Sequence, residues 1–408
     1  MYSLLPAFMD EPIPITICIV GDANSVHILR WCKYLKENGY SVHIIDFIGD
    51  ALTFHKNKKI IPQSYAKLKI PLYAIPGFTI LGNIFQKSPF IKIIAEMERG
   101  FIYCNLLYII RKIKPDIIHA HYLTDYGYWA TKTNFHPLVL SAWGSDVAIV
   151  NSETYKKSLL QIFKKADLVH TGDIVGEKRL NELGCDSKKI FIQPFGIDVK
   201  RFIPSARSNK LRNEILNNKS GHIITLVRSL KEVYDIPTFI KASSIVIKKR
   251  KNVKLLVIGD GIERDNLETL SNELGVQCNL TFMGAIPNDE LHPYLASSDI
   301  YVDTAHPTKG GGGIGVALME AMSSGLPCVI ASRPGGKAFM EEWKSGLCYE
   351  GDNHEELAEK LLFLIDNDEQ RKIFGEKSRE VALAIGDWEK NMNIFENKYK
   401  ELIDKNLK

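Results

Sequence analysis

Residues 299–331 read DIYVDTAHPTKGGGGIGVALMEAMSSGLPCVIA, and this stretch decides the fold of the second half of the chain. Its apolar start predicts a buried strand that ends near Asp303, and a helical pattern begins near Gly315. Four consecutive glycines, Gly310 to Gly313, connect the two. Glycines let a ligand approach the backbone closely, and the free amides of a helix N-terminus suit a diphosphate. The segment therefore predicts a phosphate-binding strand–loop–helix unit, with a flexible surface loop as the alternative interpretation.

The same alternation of short apolar runs and longer amphipathic segments continues along the whole chain. The apolar runs are rich in isoleucine and valine without strict alternation, which is typical of parallel strands buried on both faces. Predicted strands are 15–20, 41–48, 116–121, 138–142, 167–171, 189–194, 222–227, 253–258, 279–283, 299–303 and 327–331. Predicted helices between them include 26–37, 174–183, 234–249 and 355–365. Two blocks of this pattern predict an α/β fold of two doubly wound, Rossmann-like domains that face a central cleft.

The length of 408 residues also fits two domains. The first block predicts a domain over residues 1–205 and the second block a domain over residues 221–384. A polar stretch at 206–220 separates the blocks and is interpreted as a hinge.

The composition is that of a globular protein, with 45% apolar and 25% charged residues. A formal net charge of +4 does not suggest nucleic acid binding. The seven cysteines are scattered without C-x-x-C spacing, so free thiols in a reducing compartment are expected. No signal peptide pattern and no long apolar span are present, and we expect a cytoplasmic protein whose membrane contact is at most peripheral.

One region departs from this balance. Residues 51–114 hold eleven lysines and arginines against two glutamates, a local charge of +9, with isoleucines and aromatic residues interleaved. A basic surface studded with apolar side chains attracts anionic lipid headgroups. The alternative interpretation is a solvated, lysine-rich face.

The run GIGVALMEAMSSGLPCVIA resembles the donor-binding segment of the retaining glycosyltransferases of family 4, which have the GT-B fold. In that family a second glutamate of the segment hydrogen-bonds the donor ribose, and the resemblance assigns this role to Glu320. The family's first glutamate falls on Gly312 here. The resemblance therefore leaves the loop backbone, or Asp303, His306 or Lys309, to contact the transferred sugar.

Further donor-side residues follow from the same resemblance. LVRSLKEVYDIPTFIKA places Arg228 on the arginine that neutralises the donor diphosphate, with a plain surface salt bridge as the alternative. The family's following lysine is Val233 here, and Lys231 is the nearby substitute. The remaining donor-binding residues that the resemblance implies are Gly259 and Gly261 beneath the nucleotide, Ile286 near the base, and Gly313, Ile314 and Gly315 at the helix N-terminus.

The first half matches the family more loosely. DIIHAHYLTDYG places His121 on the family's histidine that contacts the transferred sugar, with packing or capping as the alternative role. For His119, packing is the preferred interpretation. In IVGDANSVH, the resemblance makes Gly21 the residue of close approach to the donor phosphates. DWEKNMNIFENKYKELI resembles the closing helix of the family, so residues 385–408 are expected to pack back onto the first domain.

The resemblance implies transfer of a hexose-type sugar from a UDP- or GDP-type nucleotide-sugar donor to a glycan or lipid-linked acceptor of the cell envelope. Retention of anomeric configuration is implied as well, and no cofactor or metal site is expected. Two other functions stay open: another GT-B enzyme such as a nucleotide-sugar 2-epimerase, or an inactive nucleotide-sugar-binding protein. A nicotinamide-dependent dehydrogenase is disfavoured, because the first strand lacks G-x-G-x-x-G.

Overall fold

Two parallel sheets, each flanked by helices, form the computed structural model of the protein. The structure describes residues 14–48, 65, 67–76, 91–148, 152–305, 315–332, 340 and 343–407. Within these ranges, all strand pairs in both sheets are parallel. The predicted doubly wound α/β fold is confirmed.

The first sheet has seven strands in the described residues, in the order β3-β2-β1-β4-β5-β6-β7. Its strands are β1 (Thr16–Val20), β2 (Ser41–Ile48), β3 (Leu72–Pro76), β4 (Ile117–His121), β5 (Leu138–Ser141), β6 (Leu168–Thr171) and β7 (Ile190–Ile192). The helices around it are α1 (Val26–Glu37), α2 (Ile91–Ile113), α3 (Tyr128–Lys132), α4 (Ser145–Ala148), α5 (Glu153–Lys165) and α6 (Ile174–Glu182). A π-helical turn, Leu123–Gly127, follows β4 directly.

The second sheet has six strands in the described residues, in the order β10-β9-β8-β11-β12-β13. Its strands are β8 (His222–Val227), β9 (Val253–Ile258), β10 (Leu280–Gly284), β11 (Ile300–Asp303), β12 (Cys328–Ala331) and β13 (Gly346–Tyr349). The helices that follow β7 are α7 (Asn209–Ile215), α8 (Ile236–Lys249), α9 (Arg264–Glu273), α10 (His292–Ala296), α11 (Val316–Ser323), α12 (His354–Asp366), α13 (Asp368–Ile385) and α14 (Trp388–Asn406).

The strand order of each sheet reverses direction at one place. In the first sheet this switch point lies between β1 and β4, and in the second it lies between β8 and β11. The loops that follow the two strands at a switch point lead to opposite faces of the sheet, so a crevice opens between them. The topology alone therefore marks two places for ligands, both at the carboxyl ends of strands.

The segment 206–220, predicted to be a hinge, contains helix α7. The backbone amide of Ser208 donates to the hydroxyl of Ser297, and Arg212 donates to the carboxylate of Asp299 at 2.9 Å. Leu216 lies in the same buried cluster as Leu318 of α11. These contacts attach the segment to the second sheet.

The chain crosses from the first domain to the second before this segment, and it returns to the first domain after the last strand of the second sheet. A backbone bridge joins Ile197 to Asp387, so the outgoing and returning chains run side by side. Beyond the bridge, helix α14 places Met392, Phe395 and Tyr399 in a buried cluster with strand β1. The last helix of the chain therefore completes the core of the first domain.

A buried polar network fastens α14 to the first sheet. Its hydrogen bonds measure 2.6 to 3.2 Å and run from Trp31 through Tyr399, His119, Ser141 and His170 to the carbonyl oxygen of Gln193. The carbonyl oxygen of Gln193 can only accept a hydrogen bond, so Nε2 of His170 donates to it. Each earlier group in the network then donates its hydrogen bond to the next group towards Gln193. Burial lowers the pKa of His170 to about 4 and that of His119 well below its ordinary value, and both rings are neutral.

This network predicts a loss of stability in acid. Such a histidine is neutral in the folded state but can take up a proton in the unfolded state. Its contribution to the free energy of unfolding is therefore complete above pH 6.5 and is lost as the pH falls towards 4. The loss at pH 5 should be about 2 kcal/mol for His170. Asp146 and Glu320, whose pKa values burial raises to about 6 and about 7, act in the opposite direction.

The contribution of His170 is isolated by comparing urea unfolding of the wild type with that of His170→Gln at pH 7.5 and pH 5. The free energy of unfolding should fall less with acid in the variant than in the wild type. Equal changes in the two proteins would contradict the assignment.

Candidate functional site

The switch point of the second sheet holds a buried ion pair. Arg228 follows the last residue of β8, and Asp303 is the last residue of β11. Nη2 of Arg228 donates to Oδ2 of Asp303 at 2.8 Å, and the carboxylate is fully buried. The other carboxylate oxygen, Oδ1, accepts from the backbone amide of Ala305 at 3.0 Å. The topology therefore brings together two residues that are 75 positions apart in the sequence.

This geometry revises the expected role of Asp303. The sequence allowed it to contact the transferred sugar, but its oxygens face Arg228 and the Ala305 amide inside the protein. Burial opposes the charge on Arg228, and the neighbouring carboxylate outweighs that effect, so the pKa of Arg228 is raised. Asp303 thus fixes the position of the positively charged guanidinium of Arg228 at the switch point. The alternative of a surface salt bridge for Arg228 is wrong, because the pair is buried.

The guanidinium of Arg228 lies against the N-terminus of helix α11. Gly315 is the N-cap residue of that helix, and a Cβ at this position would come within 2.8 Å of Nη2 of Arg228. Within the described residues no side chain caps the helix, so a cation and a helix N-terminus meet at one point. Nε of Arg228 is buried and has no hydrogen-bond partner within the described residues. Such a place attracts an anion.

The predicted glycines Gly259 and Gly261 shape the loop that carries Arg228. A Cβ on Gly259 would lie 1.8 Å from the carbonyl oxygen of Arg228, and Gly259 has a φ of +140°. A Cβ on Gly261 would lie 2.3 Å from the carbonyl oxygen of Leu230. Only glycine fits either position. Their closest neighbours are thus the backbone of the Arg228 loop.

Glu320 is buried on α11, one turn beyond its start. Its Oε1 accepts from Nδ2 of Asn288 at 2.8 Å. Burial raises the pKa of Glu320 to about 7, against the opposing effects of Asn288 and of the charges on Arg30 and Arg201. Arg30 belongs to α1, so the carboxylate lies within electrostatic reach of the first domain.

Two further predicted residues have less defined places. Lys231 is exposed just after Arg228, and no ion pair to it is found among the described residues. Ile286 follows β10 and packs, half-buried, on the cluster that contains Leu291. His306, Lys309, Gly312, Gly313 and Ile314 lie outside the described residues.

The switch point of the first sheet holds His121 and Gly21. His121 is the last residue of β4, and Gly21 follows β1. A Cβ on Gly21 would lie 3.6 Å from the Cβ of His121, so the two strands present them side by side. Burial lowers the pKa of His121 to about 3, with smaller effects from His170 and His27, and the ring is therefore neutral.

Both ring nitrogens of His121 are buried without a hydrogen-bond partner in the described part of the chain. The centroid of its ring lies 5.0 Å from that of Trp31 and 5.8 Å from that of Trp143. A buried imidazole without partners forfeits hydrogen-bond energy unless a ligand supplies them. His119, by contrast, has both nitrogens bonded, as the packing interpretation expects.

Two residues near these points, Arg30 and Asn288, escaped the sequence analysis. Asn288 holds Glu320, and Arg30 stacks on the ring of Trp388 with a centroid distance of 4.0 Å. The sequence gave no signal for either residue, because both act across distant segments.

Asp146 belongs to SAWGSDV, a stretch that also resembles the family and whose residues Gly144 to Asp146 are expected to edge the cleft. Asp146 accepts from the backbone amides of Leu123 and Trp143, both at 2.9 Å, and so shapes the loops beside His121.

Within the described residues, no group of three or more histidine, cysteine, aspartate or glutamate side chains could hold a metal ion. The same residues contain no helix that is long and apolar enough to cross a membrane.

Two family models match the chain, one on each domain. Residues 207–381 match the model described as glycosyl transferases group 1, and residues 16–65 and 94–171 match the model described as glycosyl transferase 4-like. The match over the second domain includes Arg228, Asp303 and Glu320. The match over the first includes Gly21 and His121.

Individual relatives and solved structures agree with these matches. A GDP-mannose-dependent phosphatidylinositol monomannoside mannosyltransferase of Corynebacterium glutamicum is 31% identical over 202 residues, about half of this chain (48%) and of that protein (52%). The N-acetyl-alpha-D-glucosaminyl L-malate synthase of Bacillus anthracis is 24% identical over 92% of this chain and 93% of its own. The structure of Anabaena HepE in complex with UDP superposes with a TM-score of 0.74 at 17% identity, covering 95% of this chain and all of that one (100%).

The two doubly wound domains give the chain the GT-B fold, and each domain matches a family model of glycosyltransferases.

The burial of the Arg228–Asp303 pair can be tested through the free energy of unfolding of variants that break it. Asp303→Ala leaves a buried guanidinium without its partner and should lower the free energy of unfolding by about 3–5 kcal/mol. The matched control is Asp366→Ala, which breaks an Arg–Asp pair of the same 2.8 Å length at the surface. That control should cost less than about 1 kcal/mol. Equal losses in urea unfolding would contradict a buried pair.

Proposed function

We propose that the protein transfers a hexose-type sugar from a nucleotide-sugar donor to a glycan or lipid-linked acceptor. One observation carries the proposal: each sheet presents buried nitrogens at its switch point that have no hydrogen-bond partner in the described part of the chain. They are Nε of Arg228 in one sheet and both ring nitrogens of His121 in the other. The first suits an anion and the second suits sugar hydroxyls. A donor with a diphosphate and a sugar needs both.

The chemistry of the proposed reaction begins at the diphosphate. As the bond from the sugar to the diphosphate breaks, negative charge grows on the leaving oxygen. The guanidinium of Arg228 and the amides at the start of α11 stabilise that charge without rearranging, because Asp303 and Gly315 already fix their places. Guanidinium also suits phosphate because its planar donors reach two oxygens at once.

Glu320 and His121 have supporting roles in this proposal. The ionised carboxylate of Glu320 accepts hydrogen bonds from the donor ribose, and Asn288 keeps it oriented. The neutral ring of His121 offers one donor and one acceptor to hydroxyls of the transferred sugar. The incoming acceptor hydroxyl attacks the sugar carbon on the face that the diphosphate leaves and passes its proton to the departing phosphate oxygen, which retains the anomeric configuration.

The nucleoside of the donor is proposed to be uridine or guanosine. The name of the Corynebacterium relative specifies GDP-mannose, whereas the structure of Anabaena HepE contains UDP. Phosphatidylinositol monomannoside, in the name of the former, is a lipid-linked acceptor. The basic composition of residues 51–114 supports an acceptor of the cell envelope, used at the cytoplasmic face of the membrane.

A thermal-shift screen with UDP, GDP and ADP and with their sugars tests donor binding. A nucleotide at one hundred times its dissociation constant should add about 2.7 kcal/mol of stability. Arg228→Lys, which keeps the charge but loses the planar fork, should reduce this gain for the preferred nucleotide. Donor turnover is then measured with and without candidate glycan acceptors. Conversion of the donor that needs no acceptor would contradict the transferase proposal.

The pKa of Glu320 predicts how donor binding depends on pH. A pKa of about 7 leaves the carboxylate increasingly protonated below neutrality, and the protonated form accepts fewer hydrogen bonds from ribose. The affinity for the nucleoside diphosphate should weaken between pH 8 and pH 6, towards a loss of roughly 1–3 kcal/mol.

The control for that titration is Glu320→Gln, whose amide does not change charge. The terminal phosphate of the ligand is present in both titrations, so only the difference between the two proteins reports on Glu320. Exposed Glu273→Gln should retain the pH dependence of the wild type. Parallel titration curves for Glu320→Gln and the wild type would remove Glu320 from the donor site.

A further inference from the structure

Arg30 of helix α1 packs against both segments that connect the domains, which run side by side at Ile197 and Asp387. Its Nη1 donates to the backbone carbonyl of Gly196, on the outgoing segment, at 3.3 Å. Its guanidinium carbon lies 4.0 Å from the centre of the ring of Trp388, which follows the returning segment. A cation of the first domain therefore lies where the chain passes between the domains.

The charge on Arg30 is not neutralised by an ion pair. Its Nη2 is buried and has no hydrogen-bond partner in the part of the chain that the structure describes. Burial lowers the pKa of Arg30 to about 10, so the guanidinium is still charged at neutral pH. A buried cation without a partner lowers the stability of the fold, so its presence needs an explanation other than stability.

Glu320 lies on the other side of the connecting segments. Met319, its neighbour on α11, packs against the returning segment, where a Cβ on Gly386 would come within 2.6 Å of the Cε of Met319. The backbone amide of Ile197 donates to the carbonyl oxygen of Gly386 at 2.7 Å, which joins the returning segment to the outgoing one. Arg30 and α11 therefore contact the same pair of segments from opposite domains.

Two cations act on the carboxylate of Glu320. Burial raises its pKa, and the hydrogen bond from Asn288 and the charges of Arg30 and Arg201 oppose that effect. Arg201 is 40% exposed and pairs with Asp198 at 3.4 Å, so water and a carboxylate both screen its charge. The charge of Arg30 is buried and unpaired, and it therefore acts on Glu320 with less screening.

Other ionisable groups around this pair keep a constant charge near neutral pH. Burial raises the pKa of Tyr301 well above its ordinary value, so its hydroxyl stays neutral. Burial lowers the pKa of His27, on α1, to about 4, so its ring is neutral as well. Arg228 is paired with Asp303. Among these described groups, Glu320 is the one that changes charge between pH 6 and pH 8.

We propose that Arg30 is a positioning residue of the donor site, and that its charge, acting from the first domain across the connecting segments, keeps the carboxylate of Glu320 ionised and able to accept hydrogen bonds from ribose. The part that concerns ribose rests on the proposed function, in which Glu320 binds the donor. The coupling between the two charges does not rest on it, because it exists without any ligand.

A double-mutant cycle tests this coupling without nucleotide. Urea unfolding is measured at pH 8.5 and pH 5.5 for the wild type, Arg30→Gln, Glu320→Gln and the double variant. At pH 8.5 the two side chains should stabilise each other by roughly three- to tenfold in the unfolding equilibrium constant, where tenfold corresponds to one unit of pKa. At pH 5.5 the coupling should vanish, because Glu320 is then protonated. Arg30→Met replaces Arg30→Gln should that variant not fold.

Nucleotide binding tests the consequence for the donor site. Affinity is measured from pH 9 to pH 6 for UDP or GDP, whichever raises the thermal stability of the wild type. In Arg30→Gln the midpoint of the fall in affinity should move up by roughly half to one pH unit, because a carboxylate that loses a nearby cation protonates at higher pH. Arg30→Lys keeps the charge and should restore the wild-type midpoint, and Arg201→Gln should move it less than Arg30→Gln. The matched control is Lys33→Gln, which removes a 57% exposed cation from the same helix and should leave the midpoint in place.

The two experiments separate failure of this inference from failure of the proposed function. Folded variants that show no coupling at pH 8.5, or the same coupling at both pH values, would overturn the role of Arg30. An unchanged midpoint in Arg30→Gln would overturn it as well, provided that Glu320→Gln abolishes the pH dependence. If Glu320→Gln instead titrates like the wild type, the proposed function loses its ribose contact, and the unfolding cycle alone decides whether Arg30 acts on Glu320.

Discussion

Each sheet of this protein depends on one constraint: its strands are parallel, and their order reverses once. A parallel strand must be reached by a crossover on one face of the sheet, so the chain leaves a crevice where it changes face. In the second sheet the reversal puts Arg228 beside Asp303, and in the first it puts Gly21 beside His121. The strand order therefore fixes the positions of these four residues, and the loops around them add further contacts.

The ion pair at the second switch point depends on close backbone approach as well as on charge. Gly259 and Gly315 leave no room for a Cβ beside the Arg228 loop and its guanidinium. The carboxylate of Asp303 is satisfied by Arg228 and a backbone amide, while Nε of Arg228 is left without a partner in the described residues. A buried pair of this kind is retained for position more readily than for stability, since apolar residues of the same volume would stabilise as well.

The two domains are joined by the packing of helix α14 as well as by the segments that connect them. Helix α14 belongs to the first core, although it follows all strands of the second sheet. The network from Trp31 to the carbonyl of Gln193 gives each of its buried hydroxyls and imidazoles a partner and a fixed proton position. The two segments that connect the domains run side by side at Ile197 and Asp387.

Local patterns in the sequence were enough to define most elements. The helix 26–37 and the strands 41–48, 222–227 and 253–258 were predicted with the bounds that the structure shows, because apolar runs and their flanking turn residues are local signals. Strands β3 and β13 were missed. Strand β3 lies inside the lysine-rich region that was interpreted only as a surface, and β13 has only four residues, Gly346–Tyr349, too few to give a distinct pattern.

The sequence by itself determined the α/β class and the two-block organisation, since apolar runs and turn residues are local signals, and its resemblance to a known family implied the candidates Gly21, His121, Arg228 and Glu320. Only the tertiary structure decided that Asp303 holds Arg228, that Asn288 holds Glu320 and that both nitrogens of His121 lack partners among the residues the structure describes. It also decided that α2 buries one apolar face and exposes the other. These facts depend on which distant segments pack together, and the spacing of residues along one segment carries no information about its partner.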